Sequence, residues 1–502
     1  MDRMKQVSRF EIFAARAWNL LNEGKPFLPI FTVGTFALYH AADWLQNPFL
    51  IGPAVWSLFI LLPLFAVYIL YDFPLYLRNY LWLPLIAYLL LEGGMAGFNP
   101  GLALFALALY FFFTVFFWGT FYYRMRIGTP WNNFTRFWKL VLKHSDSTSG
   151  NAQEQMPKFL LLLALWEHTW EGMSEGVWNM GTDGVQTLAF TAGVALFAWA
   201  LHRYLFDWKP REYGWFTRER YGEPAGRAAK RVYVIVIDGM RKERFFDART
   251  PFLDKLRLEG TEYTQMETVY PARTVVCFSS MHTGAYPREH GITSNLVLRF
   301  GLKVESVFDA LRRDGKRGRL LGIAHLADAF GDDVETITAV MKHDEADRAI
   351  LERAKKVVRE QDPDFLTVQF IGTDQTGHSR GVFYDDYIEK IEEADALTKE
   401  FVEWLAEHGK MDQAVIIVCA DHGQADGIGG HGHLDEGERY VPFFVWGHGV
   451  ARGRRVEDKH SLVSLAPTVT DLLGCPFPSH AHGPTLRETF AAPHPARMRR
   501  DA

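Results

Sequence analysis

The chain has 502 residues, 48% of them hydrophobic, and a net charge of −5. A balance this near neutral gives no basic surface for a nucleic-acid partner. Its cysteines, Cys277, Cys419 and Cys475, form no Cys-x-x-Cys pair and point to neither a thiolate zinc site nor a disulfide framework. The length allows about two to four domains, and the apolar residues are unevenly spread. The first two hundred residues are strongly apolar and aromatic, and the rest has the composition of a soluble domain.

Residues 1–25 carry Arg3, Lys5, Arg9 and Arg16 among scattered apolar residues, with no short apolar core leading to a small-residue cleavage site. They read as an interfacial amphipathic helix on the cytoplasmic side, not as a cleaved leader. Residues 26–206 read as a transmembrane helical domain. Apolar stretches at 27–45, 49–71, 80–98 and 101–123 each approach the ~20 residues that a bilayer core demands. Trp44, Tyr71, Tyr80, Trp82, Tyr122 and Tyr123 fall near their ends, as an interfacial aromatic belt does. Pro53, Pro63 and Pro84 are tolerated in membrane helices and would break helices in water. The run Phe159–Trp166 is too short to span and continues into Glu167, His168, Glu171 and Glu175. That group either lines a lipid or substrate cavity or, the plainer reading, forms the wet face of an interfacial helix. A last stretch at 185–206 makes about five spans. Five spans place the rest of the chain outside a bacterial-type inner membrane if the N-terminus lies inside. The basic linker 207–230, with Lys209, Arg211, Arg218, Arg220, Arg227 and Lys230, pulls the other way under the positive-inside rule. The five-span arrangement with an extracytoplasmic C-terminal domain is the expectation carried forward.

From 231 to 490, ahead of a tail at 491–502, strand-like and helix-like patterns alternate. Apolar runs at 232–237, 319–323, 365–371, 414–419 and 441–446 predict strands, and 251–259, 304–314, 343–360, 383–408 and 461–473 predict helices. This order implies an α/β fold with a mostly parallel sheet flanked by helices. Ligand sites in such sheets lie beyond the carboxyl ends of the strands. The first run ends in Asp238-Gly239. The run 365–371 leads to Asp374 and His378, and the run 414–419 leads to Asp421, His422 and Gly423. A Gly-rich loop then carries His431, with His433 just after. Imidazoles and carboxylates together suit zinc, manganese or iron. With the hydroxyl of Thr274, this set makes two metal positions, and two metals about 4 Å apart can clamp the attacking and leaving oxygens of a phosphoryl transfer. Thr274 would then be the nucleophile, its proton labilised by Lewis-acid polarisation. An Asp-His pair at one strand end is commonly structural, and Thr274 alone would be a turn residue. The joint pattern carries the specificity.

These residues resemble the type I phosphodiesterase/nucleotide pyrophosphatase family of the alkaline phosphatase superfamily, over roughly 231–490. The resemblance rests on Asp238-Gly239, on Pro271-Ala272-Arg273-Thr274 at the family's nucleophile turn, and on the intact stretch from Thr283 to Ile292. It rests further on Asp374 with His378, Asp421 to Gly423, Gly429 to Gly432, and Leu465 to Gly474. It implies an alkaline-phosphatase-like catalytic domain with Thr274 as nucleophile. One metal would be held by Asp238, Thr274, Asp421 and His422, and the other by Asp374, His378 and His431, with His433 the alternate. Zn2+ is the usual ion of the superfamily. Family members place an Asn three residues after the nucleophile, where it contacts a phosphate oxygen. Here that position is Cys277, a poor donor, and Arg273 is the candidate for a charge-assisted phosphate contact.

The pairing of halves predicts a membrane-anchored, metal-dependent phosphodiesterase or phosphatase acting through a phospho-threonine. Its partners are the lipid bilayer and a phosphate-ester substrate, lipid-linked if the membrane half holds it. The alternative is a phosphoethanolamine- or phosphoglycerol-type transferase using a lipid donor. A catalytically silent membrane protein would require a broken ligand set, and every ligand type is present.

Overall fold

The computed structural model describes residues 17, 20–71, 73, 75–91, 98–124, 128–142, 148–205, 212, 228–295, 297, 301–337, 343–426, 430–433 and 435–490. Most of the basic N-terminal segment, most of the linker 207–230, Gly427 to Gly429 and the tail lie outside these residues. The chain divides into two units, 18–122 with 131–209, and 210–502 with 1–17 and 123–130.

The first unit is helical. Among the described residues, three helical segments are long and apolar enough to cross a membrane: Pro48–Leu70, Pro100–Tyr122 and Met180–Tyr204, with mean hydropathies of 2.2, 2.1 and 1.5. They match the stretches at 49–71, 101–123 and 185–206. The other two expected stretches are shorter in structure. The one at 27–45 becomes a 16-residue helix, Gly24–Tyr39, followed by a separate turn of helix, Ala41–Gln46. The one at 80–98 gives a ten-residue helix, Trp82–Leu91, with 92–97 outside the described residues. The run Phe159–Trp166 differs most from expectation. It is the middle of a 23-residue helix, Ala152–Ser174, and is buried throughout. Glu167 does not sit on a wet face. It is 2% exposed, with Oε2 2.8 Å from His40 Nε2 and Oε1 accepting from Asn99 Nδ2 at 2.7 Å. A carboxylate so enclosed persists only with such partners. Glu171 and Glu175, one and two turns on, are exposed.

The second unit is an α/β domain built on a nine-stranded mixed sheet. Its strands are β1 (Arg231–Ile237), β2 (Thr261–Glu267), β3 (Gly318–Ile323), β4 (Val334–Ile337), β5 (Phe365–Phe370), β6 (Ala414–Cys419), β7 (Tyr440–Val441), β8 (Phe443–Gly447) and β9 (Arg454–Ser461). The parallel part runs β4-β3-β5-β1-β6, and β8, antiparallel to β6, joins it to β2. Strands β1, β5 and β6 are buried along almost their whole length, which is why they read as unbroken apolar runs. The expected strand at 441–446 is two strands. Pro442 cannot donate to a ladder and separates β7 from β8. All five expected helices occur, among them Pro251–Glu259, Val307–Arg313 and Asp385–Glu407. The 461–473 pattern opens with a 3-10 turn before the helix Leu465–Leu472.

Candidate bimetallic site

Register brings the site together. Ile237 of β1 pairs with Phe370 of β5, and Val236 pairs with Cys419 of β6. The three parallel strands therefore end nearly level, and whatever follows each tip arrives at one edge of the sheet. Asp238 follows β1 directly. Gly239 then turns the chain at φ +64°, a conformation that favours glycine. A Cβ there would also stand 2.8 Å from Asp374 Oδ1. Asp374 and His378 lie on the helix Gly372–Arg380, one turn apart on one face, with Asp374 Oδ1 3.3 Å from His378 Nε2. Asp421 and His422 lie in the loop after β6.

Two groups of potential metal ligands result, Asp238, Asp421 and His422, and Asp374, His378 and His431. Within each, the ligand atoms lie within 4.8 Å of one another. These are the two sets that the resemblance implied. Thr274 belongs to the first set by position, its Oγ1 3.3 Å from His422 Nε2. It is not a turn residue but the first residue of a ten-residue helix, Thr274–Thr283. The positive end of that helix therefore faces the threonine oxygen. His433 joins neither group among the described residues; its backbone N–H donates to Glu438 Oε2 at 2.7 Å.

The donor chemistry fits divalent cations. His431 Nδ1 lies 2.7 Å from the Ala272 carbonyl and His422 Nδ1 lies 2.9 Å from that of Gly423. A carbonyl only accepts, so both rings carry their proton on Nδ1 and turn the Nε2 lone pair inward. His431 Nε2 meets His378 Nε2 at 3.1 Å, and the rings of His422 and His431 stack 3.8 Å apart. Asp238 Oδ2 accepts from Gln369 Nε2 and Asp421 Oδ1 accepts from the Gly239 N–H, at 2.6 and 3.2 Å. Their other oxygens, Asp238 Oδ1 and Asp421 Oδ2, are buried without a hydrogen-bond partner, although each lies within 3.5 Å of His422 Nε2. Buried carboxylate oxygens left unpaired in this way are costly unless a cation takes them.

Electrostatics point the same way. Burial, reinforced by the charges of Asp421 and Asp374, pushes the Asp238 carboxyl well up. Burial also raises Asp421, with His422 opposing. Burial acts to raise Asp374 too, but His378, then His431 and His422, outweigh it and hold that carboxyl below the usual range. His431 is pushed down by burial and by His422, toward the neutral form that metal binding needs.

The remaining expected residues are Arg273 and Cys277. Arg273 caps the helix Thr274–Thr283 and is 7% exposed. Cys277 is fully buried on that helix, its Sγ 3.3 Å from Thr268 Oγ1, and Thr268 donates to the Asp421 carbonyl. Burial pushes its thiol well up. The sequence reading missed Gln369 and Gln424, which bond the ligand carboxylates, and Asp347, which bonds the backbone where the helix Gly372–Arg380 begins. The one available signal was Gln369, a long polar side chain that, with Thr367, interrupts the apolar run of β5.

Residues 232–317 match the model of the type I phosphodiesterase / nucleotide pyrophosphatase family, and residues 317–476 match that of the metalloenzyme superfamily. Venom phosphodiesterase 2 of Crotalus adamanteus is 26% identical over 225 residues, 40% of this chain and 28% of the relative. GPI ethanolamine phosphate transferase 1 of Emericella nidulans is 24% identical over 270 residues, 46% of this chain and 28% of the relative. The chain thus spans little more than a quarter of these curated relatives. Among solved structures, the alkaline phosphatase PafA is 12% identical and superposes with a TM-score of 0.46, covering 52% of this chain and 99% of that one. Murine ectonucleotide pyrophosphatase / phosphodiesterase 5 gives 14% and 0.43, covering 51% and 97%.

Proposed function

Residues 232–317 match the type I phosphodiesterase / nucleotide pyrophosphatase family and residues 317–476 the metalloenzyme superfamily, and from those matches we propose that the protein is a membrane-anchored, metal-dependent phosphodiesterase or phosphatase that works through a phospho-threonine. The observation that carries the reading is Thr274 Oγ1 on the positive end of its helix, 3.3 Å from His422, beside two complete ligand groups. Asp238, Thr274, Asp421 and His422 would hold one divalent ion, and Asp374, His378 and His431 the other, with Zn2+ the ion best suited to this donor set. Such ions would lower the pKa of the threonine hydroxyl and offset charge on the phosphate oxygens.

The chain's own residues do the rest. The helix N-terminus favours negative charge at Thr274 Oγ1 as its proton leaves. That oxygen attacks phosphorus, one P–O bond forms to Thr274, and the bond to the leaving alcohol breaks. Water then attacks the same phosphorus, and the bond to Thr274 breaks. Arg273, next to the nucleophile, supplies a guanidinium for the phosphate oxygens. Cys277 contributes no strong donor there and fills space behind Asp421.

A second reading keeps the covalent step and differs in the donor and the acceptor. An acceptor alcohol replaces water, and the phosphoryl donor is a lipid. The match to GPI ethanolamine phosphate transferase 1 of Emericella nidulans and the apolar helices favour it. Purified protein with bis-p-nitrophenyl phosphate tests the first. Turnover should vanish with chelator and fall by about a thousandfold or more in Thr274→Ala. Full turnover by Thr274→Ala would end the covalent mechanism. Labelled headgroup moved from lipid to an alcohol, with water a poor competitor, would select the transferase.

A further inference from the structure

Each ligand group rests on one fully buried carboxamide. Gln369 lies in β5, its Nε2 2.6 Å from Asp238 Oδ2 and its Oε1 2.9 Å from the Ile323 N–H. Gln424 lies in the loop after β6, its Nε2 2.8 Å from Asp374 Oδ1 and 3.1 Å from the Asp374 carbonyl. Both residues are fully buried, and a primary amide enclosed in the interior needs partners to persist there. The backbone is shaped to admit Gln424. A Cβ at Gly377 would stand 1.7 Å from its Oε1, and one at Gly239 would stand 2.8 Å from its Nε2. The main chain of Gln424 is tied at both ends, its N–H to Gly437 O at 3.0 Å and its carbonyl to Arg241 Nη1 at 3.1 Å.

The two amides act differently. Gln369 holds the rear oxygen of Asp238 and so turns Oδ1, the oxygen without a hydrogen bond, toward His422. Gln424 donates to Oδ1 of Asp374, the oxygen that faces His378 and His431. A carboxylate held on one side keeps a single rotamer, and an N–H donor also stabilises its ionised form. Neither residue touches the reacting atoms. We propose that Gln369 and Gln424 are positioning residues, one for each metal, with Gln369 setting the affinity of the Asp238 group and Gln424 that of the Asp374 group. This rests on the two-metal reading above.

The test uses detergent-purified full-length protein, stripped of metal and titrated with Zn2+ against a competing chelator. Co2+ titration, read by its visible absorption, reports ligand geometry independently of turnover. Wild type is expected to take two ions. Gln424→Met and Gln369→Met, both close in volume to the native residue, are each expected to keep one ion and weaken the other by about 10–100-fold. His378→Ala identifies the group. Added to it, Gln424→Met should cost nothing further, whereas Gln369→Met should weaken the ion that remains. Thermal melting without metal reports folding, and each variant tests its own half should the other not fold. Two ions bound as tightly by both variants would overturn the inference and leave the two-metal reading standing. No ion bound by wild type would overturn both.

Discussion

Asp347 belongs to neither ligand group, yet it fixes the helix that carries one of them. Its carboxylate accepts from the N–H groups of Ile371 and Gly372 at 2.8 and 3.0 Å, where the helix Gly372–Arg380 begins. Burial, opposed by those two donors, pushes the carboxyl up to about 7. An unfolded Asp titrates near ~3.9, so the folded chain holds this proton more tightly. The stabilising contribution is then fully present below about pH 4 and is lost as pH rises through about 7. A gap of this size is worth on the order of 4 kcal/mol. Asp347→Asn, of the same shape and neutral, should remove the slope: melting temperatures taken from about pH 5 to 8 should fall for wild type relative to the variant. A constant difference across that range would show that this carboxyl does not titrate with folding. At this scale the ligands were legible and their supports were not. Asp238, Asp374 and Asp421 follow apolar runs whose ends are visible in the chain. Gln424 and Asp347 act through backbone and carboxylate atoms that are distant in sequence, and no spacing announces them.

At the scale of elements, legibility followed burial. Strands enclosed on both faces, β1, β5 and β6, were readable as apolar runs. Strand β2, Thr-Glu-Tyr-Thr-Gln-Met-Glu, is partly exposed and polar at all but Tyr263 and Met266, and its pairing with β8 and β9 comes from far along the chain. The helices Thr274–Thr283 and Gly372–Arg380 carry Ser, Thr and Gly instead of strong helix formers, so tertiary contacts override propensity there. Gly377 makes the point testable. In an open helix, Gly→Ala stabilises by about 1 kcal/mol. Here the new methyl meets a carboxamide anchored by Asp374, and overpacking of that kind costs about 1–3 kcal/mol. Gly377→Ala should therefore lower the melting temperature, and in a Gln424→Ala background it should raise it. Additive effects of the two substitutions in a double-mutant cycle would show that the contact is not the cause.

For the whole molecule, the count of spans and the charge of the linker pull the α/β domain to opposite sides of the membrane. Three helical segments have the length and mean hydropathy to span, and the chain should stay with membranes after alkaline carbonate extraction. The five-span expectation sets an outside domain against the basic residues of the linker, which favour the inside. The domain supplies its own reporter background. Cys277, Cys419 and Cys475 are all buried, so wild-type protein should resist a membrane-impermeant maleimide on intact cells. Glu457 in β9 has a side chain 79% exposed and only a long contact, 3.8 Å, to Arg455, a surface pair worth little. Glu457→Cys should be labelled on intact cells if the domain is extracytoplasmic. Labelling that requires permeabilised cells would place it inside, and the linker's positive charge would then have outweighed the count of spans.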